Sequence, residues 1–87
     1  MTLQLGGVSA VVTGSGSGIG LATAKMLTDF GATVWGMDLT RGGLPEPLSF
    51  IRCDVTQSAE VRSAFQQLAQ RTVSIDLVVN CAGVGAV

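Results

Sequence analysis

A chain of 87 residues makes one domain at most, and with 47% hydrophobic residues it is too apolar for a disordered segment. A net charge of −1, a pI near 4.9 and the lack of any basic run argue against nucleic acid and acidic membrane surfaces as partners. There is no histidine, and Cys53 and Cys81 stand far apart without ligand spacing, which argues against a zinc site, and both read as free thiols packed in or beside strands.

Met1 to Gly7, MTLQLGG, has neither the basic start nor the apolar core of a signal peptide, and no run approaches membrane-spanning length. The expected setting is a reducing compartment, the cytoplasm or alternatively the mitochondrial matrix. Val8 to Thr13 is a β-branched and small-residue run that predicts strand 1. Glycines follow at 14, 16, 18 and 20, and a helical pattern begins there. Strand, glycine turn and helix in that order build a phosphate site. The turn brings backbone close to a pyrophosphate, and the first free N–H groups of the helix meet its charge. The stretch therefore reads as a dinucleotide site, against the plainer alternative of a flexible Gly/Ser loop. Helix 1 is expected from Gly18 to Phe30, with Ile19, Ala22, Met26, Leu27 and Phe30 as one buried stripe and Gly31 as a left-handed cap.

Ala32 to Asp38 is strand 2. Asp38 stands 18 residues beyond Gly20, about where the acidic residue of a dinucleotide fold meets the adenosine ribose. A carboxylate there accepts hydrogen bonds from both ribose hydroxyls and repels a 2′-phosphate, which favours NAD over NADP. Taken alone, Asp38 is equally an ordinary turn-starting aspartate; its register with the glycine turn tips the balance. Leu39 to Pro47 is a loop, since two glycines and two prolines leave little room for a helix. Arg41 within it could lie over an adenine, salvage NADP binding, or simply be a solvated loop arginine. Leu48 to Cys53 is strand 3, with Asp54 and Val55 at its carboxyl end. Thr56 is expected to cap helix 2, which runs to Arg71 with Val61, Ala64, Phe65 and Leu68 on one face. Ile75 to Asn80 is strand 4, an apolar run of the kind seen when both faces are covered, and Asn80 to Gly83 turn away from it.

Alternating strands and helices imply a parallel sheet with right-handed crossovers. The α/β architecture expected is a partial Rossmann fold, a doubly wound parallel sheet of order 3-2-1-4, truncated after the fourth strand and spanning residues 1–87 as the N-terminal part of a dinucleotide-binding domain. A ligand belongs at the switch point between strands 1 and 4. Strand 4 is left as an open apolar edge, which predicts pairing with another copy or with a second chain.

These motifs together resemble the short-chain dehydrogenase/reductase family. Thr13-Gly14-Ser15-Gly16-Ser17-Gly18-Ile19-Gly20 matches that family's glycine motif in full, Asn80-Cys81-Ala82-Gly83 departs at one residue from its Asn-Asn-Ala-Gly turn, and Asp54-Val55 stands where relatives contact the adenine ring. The resemblance implies NAD as cofactor. It places Gly14, Ser15, Ser17, Gly18, Ile19 and Gly20 around the pyrophosphate and nicotinamide end and Asp38 at the ribose. Asp54 and Val55 would meet the adenine, and Asn80, Ala82 and Gly83 would form the far side of the cleft. NADP-preferring relatives carry a basic residue where this chain has Ser17. The Asp38-Leu39 pair and the Asn-Cys-Ala-Gly turn are similar to the 3-hydroxyacyl-CoA and hydroxysteroid dehydrogenase branch, and Leu39 joins the expected cofactor residues.

The family's tyrosine, lysine, serine and relay asparagine all lie beyond that turn. This chain has no tyrosine, and its only lysine is Lys25 in helix 1. No catalytic residue and no metal ligand is therefore assigned. The 87 residues are expected to hold cofactor without turnover, as a piece of a longer oxidoreductase that meets its small-molecule substrate only with the missing half. A non-catalytic NAD-binding or sensing module is the alternative. An S-adenosylmethionine methyltransferase fits less well, since Thr13 stands where that class carries an acid.

Overall fold

Side chains alternate along β1 (Ser9–Thr13), so Ala10 and Val12 leave one face of the sheet while Val11 leaves the other. In the computed structural model, which describes residues 4–82, that alternation divides the core in two. On one side Ala10, Val12 and Val34 pack with Ala24 and Leu27 of α1 (Gly18–Asp29). On the other, Val11, Trp35, Met37 and Ile51 pack with Ala64 and Leu68 of α2 (Ser58–Ala69). Trp35 and Met37 belong to β2 (Thr33–Asp38), which pairs parallel with β1 and with β3 (Ser49–Arg52). β4 (Leu77–Asn80) pairs parallel with the free side of β1, and the order β3-β2-β1-β4 is the one the alternation of elements implied. Because β1 and β2 are covered on both faces, they read as apolar runs rather than alternating strands.

The ends of α1 are built by glycine. At its close, Gly31 donates to the Thr28 carbonyl and Ala32 to the Leu27 carbonyl, a Schellman motif with Gly31 at φ +101°. The buried stripe differs from the one expected. Gly20, Ala24 and Leu27 face the sheet, while Ile19 and Met26 are 65% and 49% exposed and Ala22 also points outward. A Cβ on Gly20 would collide with the Gly14 carbonyl oxygen, so the helix sits closer to the turn than any larger residue permits. Leu27 is buried as expected, and the rest of the contact face is Gly20 and Ala24, small residues that a search for large apolar periodicity passes over.

Helix α2 buries the predicted face: Ala64 and Leu68 are covered, with Val61 and Phe65 packed beside them. Its start corrects the expectation for Thr56. The N-cap is Gln57, without a side-chain cap bond, and the Thr56 hydroxyl donates to Asp54 Oδ1 at 2.6 Å instead. β4 also differs: it begins at Leu77, and Leu77 and Val78 are 39% and 51% exposed at the open edge rather than covered on both faces. Asp76 stops the strand early by turning its carboxylate to the Ser9 N–H at 2.8 Å, while its own N–H donates to the Ser9 carbonyl at 2.9 Å.

A candidate dinucleotide cleft at the strand ends

All four strands run the same way, so their carboxyl ends meet along one edge. There lies a cavity of about 530 Å³, within the range of small-molecule sites. The glycine turn and the start of α1 supply Gly14, Ser17, Gly18, Ile19 and Gly20 to its wall. Asp38 and Leu39 come from the end of β2, Asp54 and Val55 from the end of β3, and Ala82 from beyond β4. Three further lining residues, Cys53, Thr56 and Cys81, are not among those expected. Ten of the sequence-predicted residues are thus brought together along the carboxyl edge of the sheet, from the end of β3 to the turn after β4.

At its α1 end the cleft favours an anion, while the Asp38 and Asp54 carboxylates make the β2 and β3 ends acidic. The first turn of α1 opens onto it, and the leading N–H groups of a helix have no intrahelical partner. No acidic residue in that turn competes for them. Gly18, at φ +56°, has nothing among the described residues within 4 Å of where a Cβ would stand, so backbone is bared to the cavity at this point. A side chain here would be strained and would fill the approach.

Asp38 is tied directly to this turn. Its Oδ2 accepts from the Gly16 N–H at 3.0 Å and its Oδ1 from the Leu39 N–H at 2.7 Å. A carboxylate has about four acceptor positions, so each oxygen keeps capacity for a further donor from the cavity side. At the β3 end, Asp54 Oδ1 accepts from both the hydroxyl and the N–H of Thr56, and these bonds hold its carboxyl below the ordinary value of 3.8. Burial, followed by the Glu60 and Asp54 carboxylates, pushes the Cys53 thiol up from 9.0 and keeps it protonated. Three exposed apolar side chains, Ile19, Leu39 and Val55, line the same cleft and offer flat apolar surface beside the polar turn.

Three expected residues stand apart. Ser15 does not line the cavity: it is fully buried, and its hydroxyl has no hydrogen-bond partner among the described residues. The cause is Gly36 in β2, whose missing side chain leaves a socket that Ser15 fills. Asn80 also lies outside the lining, because its Oδ1 accepts from the Thr13 hydroxyl at 2.7 Å and serves the turn. Gly83 falls outside the described residues. Arg41 is likewise absent from the cavity wall, its guanidinium turned to the Leu48 carbonyl at 2.9 Å.

Two positioning residues escaped the reading of the sequence. Thr13 donates to Asn80 and accepts from the N–H groups of Cys81 and Ala82 at 3.0 and 3.2 Å, so one hydroxyl clamps the far wall of the cleft. Glu60 accepts from the Asp54 N–H at 3.0 Å and from Arg52 at 3.1 Å, bracing the β3 end. Glu60 stands three residues after the N-cap, a position that commonly reaches back to the preceding backbone, which was the available signal. Among the described residues no group of His, Cys, Asp and Glu could hold a metal, and no helix is long and apolar enough to cross a membrane.

Comparison with known proteins agrees with this geometry. The family profile described as short chain dehydrogenase matches residues 9–87. The 3-oxoacyl-[acyl-carrier-protein] reductase FabG of Chlamydia pneumoniae is 35% identical over 97% of this chain and 38% of its own length. The 3-hydroxyacyl-CoA dehydrogenase type-2 of Bos taurus is 35% identical over 90% of this chain and 33% of its own length. Among solved structures, the Pseudomonas aeruginosa RhlG/NADP active-site complex superposes with a TM-score of 0.82 at 27% identity, covering 95% of this chain and 37% of RhlG. The chain spans about a third of the length of the curated relatives it matches. By its glycine turn, its sheet order and the profile it fits, the chain belongs to the short-chain dehydrogenase family.

Proposed function

We propose that these 87 residues form the N-terminal, NAD-binding part of an oxidoreductase that interconverts an alcohol and a carbonyl. The observation that carries the reading is the pairing of Asp38 with the glycine turn across one cleft. Asp38 is bonded to the turn and both line the cavity, which supports a diphosphate at the free N–H groups of α1 and ribose hydroxyls at the carboxylate. The bare backbone at Gly18 fits such a group, since a pyrophosphate needs the close approach that a side chain would block. When bound, a nicotinamide dinucleotide supplies the hydride acceptor or donor. The chain's own residues bind and orient: the start of α1 takes the negative charge, Asp38 accepts from the ribose, and Leu39 and Val55 offer apolar surface to the adenine. Thr13 fixes the opposite wall through the Asn80–Ala82 backbone.

NAD is the preferred form because a 2′-phosphate would meet the Asp38 carboxylate, and Ser17 brings no positive charge to offset it. Two of the matched relatives are named for 3-oxoacyl and 3-hydroxyacyl thioesters, which supports a 3-hydroxyacyl-CoA or similar substrate, with a hydroxysteroid the other choice. The proton-transfer groups belong to the remainder of a longer protein, and the open β4 edge pairs with that remainder or with another copy. Both cysteines are free, in keeping with a reducing compartment such as the cytoplasm or the mitochondrial matrix.

Titration with NAD and NADP tests the reading, comparing wild type with Asp38→Asn. Asparagine keeps one acceptor oxygen for the Gly16 N–H, but loses the charge and the second acceptor that serves the Leu39 N–H. NAD binding should weaken by about tenfold or more, the order of a lost charge-assisted hydrogen bond, and the preference over NADP should shrink. Equal binding of the two nucleotides by wild type would overturn the assignment of Asp38.

A further inference from the structure

Gly16, in the middle of the glycine turn, is held from behind. Its N–H donates to Asp38 Oδ2, and its carbonyl accepts from the Gly43 N–H at 2.8 Å. A Cβ on Gly16 would stand 3.0 Å from the Thr40 carbonyl oxygen and 3.3 Å from that of Arg41, so the loop after β2 is packed directly against it. This loop has no regular structure of its own to keep it there. Backbone turns and the buried Leu44 anchor its middle, and Arg41 ties its two ends together. Its Nη1 donates to the Leu48 carbonyl at 2.9 Å and reaches the Leu44 carbonyl at 3.5 Å, joining the start of the loop to its end. The guanidinium also lies 5.5 Å from the centroid of the Phe50 ring on β3, a cation–π distance. The Arg41 carbonyl accepts from the Leu44 N–H, and Leu44 is 2% exposed in the core under α1.

We propose that Arg41 is a positioning residue for the nucleotide cleft: without touching the ligand, it holds the 40–43 backbone behind Gly16 and so keeps the glycine turn and Asp38 in register. The proposal rests on the dinucleotide reading given above. It also decides among the roles open to this arginine from sequence. Its Nη1 serves the loop carbonyls, its face lies over Phe50, and the residue is absent from the cavity wall, so it is not set toward a 2′-phosphate. Arg41 therefore acts on NAD and NADP alike. A planar guanidinium suits this task, since it can donate in its plane while stacking on Phe50.

The test is titration of the 87-residue chain with NAD and with NADP, comparing wild type, Arg41→Gln and Arg41→Lys, with folding followed by Trp35 fluorescence. Binding of neither nucleotide to wild type would remove the dinucleotide reading itself. If wild type binds, folded Arg41→Gln should weaken both nucleotides by the same factor, about tenfold. Arg41→Lys, which keeps a donor and a cation for Phe50, should recover part of that loss. Unchanged affinity in folded Arg41→Gln would overturn the proposal, as would a loss confined to NADP, which marks a direct reader of phosphate. Should Arg41→Gln fail to fold, Phe50→Leu removes the ring beneath the guanidinium: weaker binding of both nucleotides supports the proposal, and unchanged affinity overturns it.

Discussion

The socket at Gly36 allows a quantitative test of how the glycine turn is anchored to the sheet. A Cβ at position 36 would lie 2.5 Å from Ser15 Oγ, 2.7 Å from Leu44 Cδ2 and 3.0 Å from Ser15 Cβ. Neither neighbour has room to retreat, for Ser15 is fully buried and Leu44 is 2% exposed. Gly36→Ala therefore overpacks the core and should cost about 2 kcal/mol, within the usual range for an extra methyl in a close-packed site. Ser15→Ala should act in the opposite sense. The hydroxyl is buried without a partner among the described residues, so its removal relieves a desolvation cost. The small void left behind offsets part of that gain, for a net stabilisation of about 1 kcal/mol. Because Ser15 Oγ is the nearest obstacle to the new methyl, the two changes should couple: Gly36→Ala should cost about 1 kcal/mol less when Ser15 is already alanine. Leu44 still blocks the site, so the double variant stays less stable than Ser15→Ala alone. Urea denaturation followed through Trp35, the only tryptophan and itself 6% exposed, reads all four corners of the cycle. A Gly36→Ala chain as stable as wild type would refute the socket, and a Ser15→Ala chain destabilised by about 1 kcal/mol or more would show that the hydroxyl has a partner.

Thr13→Val removes one bond from the Asn80 side chain and two from the backbone beyond β4, and should cost about 2 kcal/mol. Amide hydrogen exchange should speed up at Cys81 and Ala82 in that variant, and unchanged exchange there would contradict the clamp. The Asp54 carboxyl is held below its ordinary value chiefly by the Thr56 hydroxyl and then by the Thr56 N–H. A depressed folded value means that this contribution to stability is present above about pH 3.8 and is lost as pH falls through the folded value. Thr56→Val should therefore move the Asp54 titration upward toward 3.8 by carboxyl NMR, and an unmoved titration would contradict the assignment of the hydroxyl as its cause.

Much of this fold is legible from residue pattern because parallel strands buried on both faces are apolar runs, and β1 and β2 stand within two residues of where such runs fall, as does the less buried edge strand β3. The helix α2 stripe was equally plain, since Val61, Ala64, Phe65 and Leu68 are large or medium apolar residues at helical spacing. α1 misled for the opposite reason. Leu27 faces the sheet as expected, but its companions are Gly20 and Ala24, the small residues a close helix–strand contact selects, while Ile19 and Met26 lie outward. Ser15 sits in a glycine motif, yet its direction is set by an absence at Gly36, which no local reading of residues 14–20 contains. Thr13 was hidden by distance along the chain: its partners are 67 to 69 residues away, and only the β1–β4 pairing brings them together. Asp38 was the favourable case, because a carboxylate at the end of β2 is placed beside the turn by topology alone.

The most direct measurement is a titration of the isotopically labelled chain with NAD, following backbone amide signals. The account predicts saturable shifts concentrated at Gly18, Ile19 and Gly20, with Leu39, Val55 and Ala82 moving in the same titration. Shifts absent from the first turn of α1, or centred instead on the separate groove beside Phe65 and Ile75, would contradict a dinucleotide held at the strand ends.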